Sequence, residues 1–72
     1  MPHRINPRKL LLSKWTALKP TNKERHFLVV KMNYDEDEVV TECVIEAVIS
    51  GRQISMHWHE LKDDTVWAQG WR

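Results

Sequence analysis

Hydrophobic and polar residues alternate most cleanly between Arg52 and Glu60. Ile54, Met56 and Trp58 fall on one side, and Gln53, Ser55, His57 and His59 on the other. A period of two predicts a half-buried β-strand. Val39 to Ile49, rich in β-branched residues, predicts a second strand, and His26 to Tyr34 a third. The acids Asp35 to Glu38 between them predict a solvated loop, and Ser50-Gly51 a turn. If these two connections close hairpins, Leu28 faces Ile45, Val30 faces Cys43 and Met32 faces Thr41. On the far side Ala47 faces Ile54, Ile45 faces Met56 and Cys43 faces Trp58. The two hairpins agree on one core face: Leu28, Val30, Met32, Cys43, Ile45, Ala47, Ile54, Met56 and Trp58. A slip of one residue would invert it.

The other face carries an expected cross-strand row of Lys31, Glu42 and His59, and an apolar strip of Phe27, Val29, Val44 and Val48. A three-stranded sheet needs cover. Asn6-Pro7 is an N-cap with proline at the first helical position and predicts a short helix from Pro7 to about Leu12. Trp15 to Leu18 predicts a brief extra strand stopped by Pro20. Asp63 or Asp64 caps a predicted turn through Thr65 to Ala68, ended by Gly70. The fold class expected is mainly β, with an α+β variant possible in principle. Its centre is a three-stranded antiparallel meander covered by an N-terminal helical turn and a tryptophan-anchored C-terminal segment. Residues 1–72 form one expected domain, with 1–9 extended or partly flexible.

At this length a chain buries only about 60% of its unfolded surface, so the four tryptophans, Trp15, Trp58, Trp67 and Trp71, supply much of the expected cohesion. Two of them near the C-terminus predict that this segment is docked. The single cysteine, Cys43, rules out an intramolecular disulfide, suits a reducing compartment and sits on the predicted core face as an inert thiol. No apolar run is long enough for a bilayer span. A cytoplasmic location and no membrane partner are expected.

The formal charge of +1 conceals an asymmetry. Residues 1–31 hold eight Lys or Arg against Glu24 alone, whereas 32–72 hold three against nine acids. Either the basic segment meets a polyanion, or it packs against the acidic half and the fields cancel.

The blocks Ser13-Lys14-Trp15-Thr16, Trp58-His59-Glu60-Leu61-Lys62-Asp63 and Gln69-Gly70-Trp71 resemble a family of short, tryptophan-rich bacterial proteins of unknown function. The resemblance covers nearly the whole chain and implies no activity, cofactor or catalytic residue.

Enzymatic chemistry finds little footing. Two glycines are too few for a phosphate-binding loop. His57-x-His59 with Glu42 opposite is a weak candidate metal site, set against ordinary polar surface, and no cofactor is expected. A non-enzymatic binding module is the expected role. Arg4, Arg8, Lys9, Lys14, Lys19, Lys23 and Arg25 around Trp15 combine cations with an aromatic ring, as single-stranded RNA or DNA binding requires. The alternative is a protein-interaction or homodimerisation module built on Phe27, Val29, Val44, Trp67 and Trp71. The direction of the tryptophans decides: an exposed ring beside Lys14 or Arg8 favours nucleic acid, and a neutral apolar patch a protein.

Overall fold

A computed structural model describes residues 5–72; Arg4 lies outside them. The chain forms one antiparallel sheet of five strands: β1 (Lys14–Thr21), β2 (Glu24–Tyr34), β3 (Val40–Ala47), β4 (Gln53–Met56) and β5 (Trp67–Gln69). Their order is β4-β3-β2-β1-β5, so four strands meander and the fifth returns to pair with the first. Two 3₁₀ turns, Pro7–Lys9 and Trp58–Lys62, complete the described elements.

The predicted three-stranded meander is there, but it is three-fifths of the sheet. β1 joins β2 through Asn22-Lys23, both with positive φ (54° and 60°). That is the backbone of a tight hairpin whose twist suits the flanking strands. Pro20 does not stop β1, which runs to Thr21. The expected Asp63-capped turn is there but short, the Asp63 carboxylate accepting from the Thr65 amide at 2.9 Å, and from Trp67 the chain is already β5, paired Thr16 with Ala68 and Ala17 with Trp67. The helix expected from Pro7 to Leu12 is a three-residue 3₁₀ turn, with the Asn6 side chain accepting from the Arg8 amide as its cap. Residues 7–9 are therefore folded, not extended.

Register decides the faces, and here the sequence expectation is corrected. Phe27 pairs with Ala47 and Val29 with Ile45, while Met32 pairs with Cys43, the ladder shifting between Val29 and Lys31. The offset from the expected pairing inverts the first half of β2. Phe27 and Val29 are buried and Leu28 and Val30 only partly so. The run Phe27 to Val30 is apolar on both faces, so composition could not choose between them, and the bulge restores Met32 to the core side. Between β3 and β4 the slip is two residues, Ile45 pairing with Ile54 and Cys43 with Met56. An even slip keeps the face. Cys43, Ile45, Ala47, Ile54 and Met56 accordingly stay on the core side as expected. Trp58 leaves the strand for the second 3₁₀ turn and is half-buried.

Since β4 and β5 lie at opposite edges, the connection between them must cross a sheet face. Residues 57–66 make that crossing and cover the core side, with Leu61 fully buried against it. Leu10 and Ile5 close the other end. Cover is thin: the Cα extents are 37 × 29 × 15 Å. The turn after β3 is tied down by Glu24, the one acid of the basic half. Only 4% exposed, it accepts from the Ser50 hydroxyl at 2.6 Å and from Arg52 Nε at 3.0 and 3.1 Å, with Arg52 Nη2 adding a further bond.

Two outcomes are expected. Trp15 is 2% exposed and sits among the buried residues of the core. Trp15→Ala should cost about 3–5 kcal/mol and abolish a cooperative thermal melt. Trp58→Ala, which the sequence alone would make equally damaging, should keep one. Secondly, hydrogen bonds from Arg52 and Ser50 hold the Glu24 carboxyl at a pKa of about 2, below its ordinary 4.5. A depressed carboxylate stabilises the fold above its unfolded pKa, and that contribution is lost as pH falls from 4.5 to about 2. In melts across that window Glu24→Gln should show a flatter decline than the parent; parallel curves would contradict the assignment.

Candidate functional site

The side of the sheet away from the core carries the rows Ala68–Thr16–His26, Lys14–Leu28–Glu46–Gln53 and Lys31–Val44–Ser55, since directly paired residues share a face. At one end of this face residues 70–72 fold back over β1 and β2. Gly70 has φ +80°, a left-handed conformation that glycine adopts without penalty. Its amide donates to the Lys14 carbonyl at 2.8 Å. Thr16, 1% exposed, donates its hydroxyl to the Gly70 carbonyl at 2.7 Å and accepts from the Arg72 amide at 3.0 Å. Trp71 Nε1 donates to the Phe27 carbonyl at 3.0 Å, and His26 Nε2 contacts the Arg72 carbonyl at 2.7 Å.

The result is a clasp that presents Trp71. Its ring remains 43% exposed. The Lys14 ammonium lies 4.7 Å from the ring centroid, and the His26 ring stands tilted at 5.9 Å. Two of the three blocks singled out in the sequence, Ser13 to Thr16 and Gln69 to Trp71, form one unit. Ser13 receives the Trp15 indole N–H at 2.8 Å and donates to the Leu10 carbonyl. Lys14 covers Trp71, Trp15 fills the core and Thr16 bonds the tail.

The predicted nucleic-acid residues are thus partly regrouped. Trp15 is buried, so its ring offers no stacking platform; Trp71 takes that position beside Lys14. Arg8 and Lys9 belong to the first 3₁₀ turn, and Arg8 forms an exposed ion pair with Glu38. Lys19 lies on β1, Lys23 in the β1–β2 hairpin turn and Arg25 on β2. Trp71 was assigned to the alternative set; the signal missed was that β5 would carry it back to Lys14.

The alternative protein-interface set is broken up. Phe27, Val29 and Val44 are buried, and Trp67 is half-buried with its ring edge-on to Phe27 at 5.3 Å. Of the strip that water was expected to reject, Phe27 and Val29 belong to the core, whereas Val44 lies on the opposite side of the sheet and Val48 is exposed.

At the candidate metal site His57 and His59 do meet, their Nδ1 atoms 2.9 Å apart and their rings stacked. Glu42 does not join them. It pairs with Lys31 at 3.5 Å and accepts from Asn33 at 2.8 Å. Among the described residues no three His, Cys, Asp or Glu side chains gather as metal ligands. Instead, His57 caps the second 3₁₀ turn by accepting from the His59 amide. Partial desolvation, then the neighbouring His57 and Lys62, hold the His59 imidazole below its ordinary pKa. Cys43 is fully buried, and desolvation raises its thiol pKa, as expected for an unreactive core position. No helix among the described residues is long and apolar enough to cross a membrane.

A tryptophan-rich protein family of unknown function (DUF2389) matches residues 13–72, and the chain belongs to it. Searches of the curated proteins and of the solved structures found no match. The matched span contains both halves of the clasp.

Thr16→Val keeps the shape but removes the hydroxyl that serves both Gly70 and Arg72. A cost of about 1–3 kcal/mol is expected from the groups left unsatisfied. Iodide quenching of tryptophan fluorescence should rise in the folded variant as Trp71 loosens. Unchanged stability and quenching would show that the clasp does not depend on this hydroxyl.

Proposed function

We propose that the protein is a non-enzymatic module that binds single-stranded nucleic acid on the sheet face around Trp71. The observation that carries this is an exposed indole, fixed by its own N–H to the sheet backbone, with an ammonium over its ring. A base stacked on an aromatic side chain is worth about 1–3 kcal/mol. The exposed cation–π contact it would replace is worth about 0.5–1 kcal/mol. Lys14, displaced from the ring, remains within reach of a phosphate. The exchange therefore runs in favour of the ligand.

Net charge supports the same reading only locally. Residues 1–23 contain no acid, and Lys14 lies over the indole with His26 against its ring. Elsewhere the opposing halves do compensate each other, through Arg8 with Glu38 and Lys31 with Glu42. Affinity should accordingly be modest and set by the Trp71 neighbourhood.

Titration of a random single-stranded RNA of about twelve nucleotides, a length within the range covered by small binding domains, provides the test. Tryptophan fluorescence should be quenched, with affinity falling between about 50 and 200 mM salt as counterions are released. Trp71→Ala should remove most of the quenching and weaken binding about tenfold. Lys14→Gln should lower the salt slope by about one. Absence of quenching by RNA, or equal binding by Trp71→Ala, would overturn the proposal.

A further inference from the structure

On a continuous strand, residues two apart such as His57 and His59 stand about 6–7 Å from each other. The fold does not leave them there. β4 ends at Met56, His57 is still extended, and the chain then winds into the 3₁₀ turn Trp58–Lys62. Winding at this point draws the two rings together, to centroids 4.6 Å apart and planes 20° from parallel. The Nδ1 atoms stand closer still, at 2.9 Å, so the rings lean towards each other along their Nδ1 edges. Both side chains are exposed, and an open cavity of about 300 Å³ bounded by Thr41, Ser55 and Trp58 lies beside His57.

Neither the core nor the strand ladder requires this approach. A neutral imidazole carries one protonated and one bare nitrogen, and the bland account of the contact is a single proton shared by the two Nδ1 atoms. Open to water, such a bond adds little to stability. His57 Nδ1 also accepts from the His59 amide, but at 3.4 Å that cap bond is a long one. The arrangement does supply two nitrogen donors that water can reach, already at chelating distance.

The distance also selects the ion. Two nitrogens about 2.0 Å from one metal lie about 2.8 Å apart across a right angle, and about 3.3 Å apart across a tetrahedral one. The observed 2.9 Å matches the right angle of a tetragonal centre. Copper(II) prefers that geometry, and it is the first-row divalent ion that nitrogen sites hold most tightly. Glu42 is taken by Lys31 and Asn33, and among the described residues no third His, Cys, Asp or Glu joins the pair. Water therefore fills the remaining positions.

We propose that His57 and His59 form a two-nitrogen surface site that captures copper(II) through their Nδ1 atoms. Binding releases the shared proton and exchanges the long cap bond for two metal bonds across the same turn. His57 is the N-cap of that turn and His59 its second residue, and the turn carries Leu61 into the core. Capture consequently tightens the segment that crosses the sheet. The site is separate from the Trp71 clasp and does not rest on the function proposed for it.

Titration with copper(II) tests this, with Trp58 as reporter, since its ring lies 4.1 Å from that of His59. Fluorescence should be quenched to saturation at about one ion per chain, and the electron paramagnetic resonance spectrum should show a tetragonal ion coupled to two nitrogens. His57→Ala and His59→Ala should each weaken binding by at least about 10–100-fold, the cost of losing even a supporting partner of a metal site. Should His57→Ala unfold with loss of its cap, His59→Ala carries the test alone, because it leaves the capping side chain in place. At about ten times Kd the parent should melt about 5–10 °C higher. Quenching that survives in the His57→Ala/His59→Ala double variant would put the ion elsewhere and overturn the proposal. Zinc(II) bound as tightly as copper(II) would refute the right-angle geometry. Copper bound without any rise in melting temperature would show that the unfolded chain chelates equally well, and the built site would fall.

Discussion

The Thr16 hydroxyl bonds two groups that lie 54 and 56 residues away along the chain. It sits beside the short ladder between β1 and β5, and without that pairing the sheet would lose both its fifth strand and the tail that covers β1 and β2. A thin sheet has little interior to spare. It therefore depends on the few places where distant segments are bonded directly, and a buried hydroxyl satisfied on both sides is a directional way to do this. The same bonds that complete the sheet set the position of Trp71, so architecture and candidate site share one cause.

What the sequence revealed followed from how sharply each segment distinguished its two faces. Gln53 to Met56 alternates strictly, and its inward side was legible despite a register error of two residues. Phe27 to Val30 is apolar throughout, and only the bulge after Val29 and the exact turn geometry fix which side is buried. The Asn6 cap and the solvated acidic loop were legible because their signals are local. The β1–β2 hairpin was not, since Asn22-Lys23 lacks the glycine that usually marks such a turn. β5 was hidden for a different reason. Three residues carry no period, and their strand conformation comes entirely from pairing with β1.

Candidate chemistry followed the same division. Lys14 was identifiable from composition and Trp71 from its type, but their meeting required a long-range pairing. Trp15, adjacent to Lys14 in sequence, points to the opposite face because neighbouring strand residues always do. The charge asymmetry proved to have two parts. Some of it is consumed in cross-pairs such as Arg8 with Glu38 and Lys31 with Glu42, and some is left around the indole. His57 and His59 met as the spacing suggested, yet Glu42 went to Lys31 and Asn33.

The strand order has a kinetic side. Each step of the four-stranded meander joins neighbours in sequence, whereas β5 must find β1 across some fifty residues. The entropy of closing a loop rises with its length, and non-local pairings are made slowly. The meander can form before residues 67–72 have been synthesised; the clasp must wait for them. Surface around β1 stays open until then. The Trp71 clasp consequently assembles only after the meander, and until then the cations of the first half lack the indole that Lys14 covers in the folded protein.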